Sequence, residues 1–94
     1  MKAVLIFEDH KPLSEREVVH MTVWRLPARV PGCAHDFKYR LAFVVDGHCV
    51  LRFDNERGKG DHKHAGTVQS PYQFTTPTRL LADFLHEVEI CRTK

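Results

Sequence analysis

Between Phe37 and Phe53 the side chains alternate in character. Phe37, Tyr39, Leu41, Phe43 and Val45 are apolar, the run breaks at Asp46-Gly47, and it resumes at Cys49, Leu51 and Phe53. Successive side chains of an extended strand leave opposite faces, so the pattern predicts a β-hairpin with one apolar face. It also constrains the register. A two-residue Asp46-Gly47 loop would set Leu41 and Phe43 beside Val50 and Arg52. An odd-length loop, such as three residues with Gly47 in the left-handed conformation, gathers Tyr39, Leu41, Phe43, Cys49, Leu51 and Phe53 on one face, and burial favours it. Lys38, Arg40, Arg52 and Asp54 then share the opposite face.

On either side of this hairpin the chain offers weaker elements. Ala3 to Phe7 is short and uniformly apolar, which suits a strand covered on both faces, and Lys11-Pro12 breaks it. Ser14-Glu15-Arg16-Glu17 has capping-box spacing. The segment after it, Val18 to Trp24, is rich in β-branched and aromatic residues with Val19, Met21 and Val23 in alternation, and predicts a strand. Pro27 ends that strand, and Pro31-Gly32 marks a turn. Thr67-Val68-Gln69 and Tyr72-Gln73-Phe74-Thr75 suggest a short edge strand interrupted at Ser70-Pro71. A helix follows over about 77–91: Thr76 caps, Pro77 suits the first helical position, and Leu80, Leu81, Phe84, Leu85, Val88 and Cys91 form one stripe. Asp83, His86, Glu87 and Arg92 fall outside it, toward solvent. The expected class is α+β, an antiparallel sheet of four to five strands with one C-terminal helix packed on one face.

The 94 residues, 43% hydrophobic, are expected to form a single domain, 1–94, with room for one core. A net charge of +2 is far from the basic surface of a DNA-coating protein. Cys33, Cys49 and Cys91 are odd in number and lack Cys-x-x-Cys spacing, so neither a disulfide framework nor a zinc ribbon is signalled. The N-terminal apolar run stops at Glu8-Asp9-His10, too short for a signal segment, and nothing approaches the ~20 apolar residues of a membrane span. The expected location is the cytoplasm.

The chemistry is concentrated in Arg52-Phe53-Asp54-Asn55-Glu56-Arg57-Gly58-Lys59-Gly60-Asp61-His62-Lys63-His64. Here the strand runs out at Phe53 into a loop that Gly58 and Gly60 make pliable and able to approach a ligand closely. His62 and His64 are two apart, so in extended chain both imidazoles leave one face while Lys63 leaves the other. Three readings compete. One is general acid–base work on an RNA phosphodiester, one imidazole taking a 2′-hydroxyl proton and another protonating the leaving oxygen, with Arg40, Arg52 or Lys63 stabilising the transition-state charge. The second is a metal site of His62, His64 and Asp54 or Asp61. The third is a solvated loop. Asp54-Asn55 equally suits a strand end where side chains bond nearby backbone. Trp24 reads as core or interface rather than a base-stacking platform. His86 reads as surface, and His10, His20, His35 and His48 have no informative spacing. The residues alone leave the three readings open.

Phe37-Lys38-Tyr39-Arg40, the hairpin, Arg52-Phe53-Asp54-Asn55, His62-Lys63-His64 and the closing helix, in that order, resemble the TumE-type family of toxins from bacterial and archaeal toxin–antitoxin modules over about residues 3–90. The most specific pieces are the Arg-Phe-Asp-Asn strand end and the His-Lys-His after a variable loop. That loop is short here and carries Gly58-Lys59-Gly60, where many relatives have a longer stretch. The resemblance implies a small cytoplasmic toxin with a cognate antitoxin of helix-turn-helix type. Joined to the residues, it gives as expected function a metal-independent ribonuclease without cofactor. His62, His64 and Asp54 are then the catalytic candidates, and Arg40, Arg52, Lys63, Lys38 and Lys59 the RNA contacts. A homo-oligomer is compatible with this, and the alternative is a non-catalytic protein- or nucleic-acid-binding module.

Overall fold

In a computed structural model, which describes residues 2–93, the chain forms six antiparallel strands and one helix. The strands are β1 (Val4–Pro12), β2 (Glu17–Arg25), β3 (Phe37–Val45), β4 (His48–Glu56), β5 (Gly60–Ala65) and β6 (Val68–Pro71), and the helix is α1 (Pro77–Arg92). They lie side by side in chain order, so the sheet is a plain meander. The sheet therefore has six strands rather than four to five. The difference arises at 54–65, where the loop expected from the sequence is strand: β4 runs on to Glu56 and the His-Lys-His triplet lies in β5.

One face of the sheet carries the core. Val19, Met21 and Val23 of β2, Tyr39, Leu41 and Phe43 of β3, and Leu51 and Phe53 of β4 pack against Leu80, Phe84 and Val88 of α1. The helix begins as its sequence dictates, with Thr76 Oγ1 accepting from the Arg79 amide at 3.1 Å and Pro77 in the first turn. Leu85, expected on the apolar stripe, is instead exposed. Arg92 and Glu87 are not simply solvated: Arg92 reaches Glu17 of β2 at 3.3 Å and Glu87 reaches Lys63 of β5 at 2.7 Å.

The covered strand expected at residues 3–7 is instead the edge strand β1, which continues to Pro12 and leaves Val4, Leu5 and Ile6 exposed. A lone helix about 10 Å wide shields roughly two strand spacings of about 4.8 Å. Its shadow falls on β2 to β4, and of β1 Phe7 packs against the core while Val4, Leu5 and Ile6 stay exposed.

The β3–β4 hairpin reaches the expected burial by another device. Its turn has two residues, Asp46 and Gly47, with φ of 51° and 79°, and Asp46 is held there by Arg16, whose Nε lies 2.8 Å from Oδ1. The register is corrected one step later by a bulge that sets Val44 opposite Cys49 and Phe43 opposite Leu51, leaving Val50 as the extra residue. Leu41, Phe43, Leu51 and Phe53 thus meet on the core face, whereas Cys49 falls on the other face and is exposed.

Gly58 and Gly60 serve the chain itself. The Gly58 amide donates to the Pro31 carbonyl at 2.7 Å, and a Cβ on Gly60, where φ is +78°, would stand 2.8 Å from the Gly32 carbonyl oxygen. The close approach read from these glycines is therefore between the β4–β5 turn and the 26–36 connection.

Candidate functional site

Strand alternation sorts the Arg-Phe-Asp-Asn segment of β4. Phe53 and Asn55 point into the core side, and Arg52 and Asp54 leave through the face that α1 does not cover. Antiparallel pairing then sets Asp54 between Arg40 and His62, and Arg52 beside His64. The expected catalytic residues Asp54, His62 and His64, with Arg40 and Arg52, thus come together on one uncovered sheet face.

Their geometry is close and largely dry. Asp54 and His62 are 7% and 4% exposed. His62 Nε2 lies 2.9 Å from Asp54 Oδ1, His64 Nε2 lies 3.9 Å from the same oxygen, and Arg52 Nε lies 3.2 Å from Asp54 Oδ2. The imidazoles meet edge to face with ring centres 4.9 Å apart. His62 Nδ1 is 3.2 Å from the Gly60 carbonyl, which only accepts, so Nδ1 carries a proton. The distances around Asp54 are those of ion pairs, but the groups are not aligned as hydrogen bonds: Arg52 Nε, Asp54 Oδ1, His62 Nε2 and His64 Nε2 are buried without a hydrogen-bond partner among the described residues. Burial, then the Arg52 cation, hold the His64 pKa below its ordinary value against the opposing pull of Asp54, so its ring is neutral at physiological pH.

The remaining expected RNA contacts are placed differently. Lys63 faces the helix, its ammonium on Glu87 and 5.8 Å from the Phe53 ring centre. Lys38 shares the open face but its ammonium donates to the Asn55 carbonyl, and Lys59 sits in the β4–β5 turn 3.6 Å from Glu56. Arg40 is exposed beside Asp54.

Two groupings had no signal in spacing. His10 and His20, apparently scattered, are register partners whose Nδ1 atoms lie 2.6 Å apart. Asp61, Cys33 and His35 converge from separate segments. His35 Nε2 and Tyr39 Oη both lie 2.7 Å from Asp61 Oδ1, and His35 Nδ1 accepts from the Phe37 amide at 3.1 Å, which fixes the proton on Nε2. Burial, then the bond to Asp61, push the Tyr39 pKa up; burial likewise raises that of Cys33 and keeps its thiol protonated. A groove of about 460 Å³ lined by Tyr72, Gln73, Thr75, Arg79 and Asp83 lies apart from the histidines.

A six-stranded meander with one helix on one face and a carboxylate–imidazole cluster on the other defines a small α+β protein with one sheet face left uncovered. The family model described as Toxin TumE matches residues 4–92, and the chain belongs to this toxin family. No curated protein and no solved structure matches it. No helix among the described residues is long and apolar enough to cross a membrane.

Proposed function

We propose that this chain is the toxin of a toxin–antitoxin pair and that it cleaves RNA in the cytoplasm by acid–base chemistry between His64 and His62, without a metal. Family membership supports the first part and, by the same resemblance, a cognate antitoxin with a helix-turn-helix portion. The observation that carries the second is the pairing of a neutral imidazole with one set against a carboxylate, beside two arginines on an open face. The partly exposed His64 ring takes the proton of the 2′-hydroxyl as that oxygen attacks phosphorus. The His62 ring, set against Asp54, gives a proton to the departing 5′-oxygen. The products are a 2′,3′-cyclic phosphate and a 5′-hydroxyl end. Arg40 and Arg52 stabilise the charge on the five-coordinate phosphorus.

The test is cleavage of total cellular RNA in chelator. His64→Ala and His62→Ala should each lose about 10²- to 10⁴-fold in rate with circular dichroism unchanged. Lys63→Ala, being on the helix face, should cleave like wild type and lose at most about 1 kcal/mol of stability with its half-buried ion pair. Expressed alone the wild type should stop bacterial growth, and the neighbouring gene should restore it. If both histidine variants cleave at the wild-type rate, or no form cleaves, a non-catalytic binding module is the better reading.

A further inference from the structure

The orphaned atoms on the open face have a second implication. If His62 carries its single neutral-state proton on Nδ1, its Nε2 lone pair faces a carboxylate oxygen 2.9 Å away, an arrangement that a cation relieves. A histidine that donates one ring N–H to a backbone carbonyl while offering the other nitrogen is arranged as metal-ligating histidines are. Asp54 divides its oxygens in the same sense, Oδ2 toward Arg52 and Oδ1 toward both imidazoles.

We propose that Asp54, His62 and His64 form a binding site for a divalent transition ion of the zinc class, and that the ion silences the toxin by occupying the ring nitrogens its reaction needs. Three donor atoms, one from each residue, lie within 4.8 Å of one another. Two ligands on a tetrahedral ion with bonds of about 2.1 Å stand about 3.4 Å apart, between the 2.9 and 3.9 Å separations seen here. Glu56 Oε1, 3.8 Å from His62 Nε2, is a further oxygen within reach. Two imidazoles and one carboxylate favour zinc-class ions over magnesium or calcium. The cluster of Cys33, His35 and Asp61 is equally compact but a poor site, because its imidazole proton is already committed to Asp61.

Binding stands on this geometry alone, and silencing rests on the ribonuclease reading. The experiment titrates the chelator-stripped, desalted full chain with ZnCl2 and with MgCl2 by calorimetry, and follows RNA cleavage at each zinc level. Zinc should bind one to one, magnesium should not, and cleavage should fall as the site fills and return with chelator. Asp54→Asn and His64→Ala, both checked for folding, should each weaken zinc binding at least about tenfold. The double variant His10→Ala/His20→Ala should bind and cleave as wild type. Absence of zinc binding, or binding that survives both site variants, overturns the metal site and leaves RNA cleavage standing. Cleavage that appears only with zinc overturns the silencing. Site-dependent binding by a protein that cleaves RNA under no condition upholds the metal site and removes the ribonuclease.

Discussion

Asn55 acts as a splint between two strands. Its Oδ1 accepts from the Tyr39 amide at 3.0 Å, its Nδ2 donates to the Phe37 carbonyl at 2.7 Å, and its side chain is fully buried. The side chain thus supplies a strand's hydrogen bonds to β3 where backbone pairing between β3 and β4 has ended at Asp54. Asn55→Ala should destabilise the fold by about 2–6 kcal/mol in urea unfolding, since two buried backbone groups lose partners worth roughly 1–3 kcal/mol each. A change under half that would mean the segment re-pairs. Its neighbour Asp54 leaves through the opposite face, because adjacent strand residues alternate.

Among the elements, α1 is tied to the chain leaving β6 by Tyr72, whose hydroxyl donates to Asp83 at 2.7 Å while Arg79 donates to the other carboxylate oxygen at 2.9 Å. The Tyr72 bond, then Arg79, hold Asp83 below the ordinary value of 3.8. A lowered carboxyl pKa stabilises the fold above the unfolded value and loses that contribution as pH falls through the folded one. Stability should therefore drop below about pH 4. Asp83→Asn should flatten that portion of the profile, and urea midpoints across pH 2–6 that coincide for the two proteins would deny the contact any role. Elements differ in how legibly they are written. β2, β3, β4 and α1 announce themselves through apolar periodicity. β5 does not, because its core-side position is Lys63, which lies near the Phe53 ring and ends on Glu87. The bulge at Val50 is invisible locally because only the partner strand makes it necessary. Arg52 with Asp54, and His62 with His64, were each readable as sharing a face because they obey alternation, but that the two pairs meet depends on the β4–β5 register. Asp61 with Cys33 and His35 was not readable, since β5 and the 26–36 connection, far apart in the chain, bring them together.

For the molecule as a whole, the two faces of the sheet have separate duties. One is closed by α1. The other presents Arg40, Arg52 and the half-exposed Trp24 along with the histidines. Arg40 is exposed, so Arg40→Glu should leave the unfolding midpoint within about 0.5 kcal/mol while weakening binding to RNA or to the antitoxin. Unchanged affinity for both would move the working surface off this face.

The meander also orders events in time. Every strand pairs with its neighbour in the chain, the longest link being the 26–36 connection, whereas α1 must return over the sheet, as the Arg92–Glu17 contact across 75 residues shows. Closing a loop of that length costs about 2 kcal/mol more in chain entropy than closing one of about ten residues. The kinetic barrier is therefore expected at helix docking. Val88→Ala should slow refolding as well as hasten unfolding, and a stopped-flow chevron in which only the unfolding arm moves would put the barrier in the sheet. On this view the uncovered face takes shape first, and it becomes durable only when the opposite side is sealed.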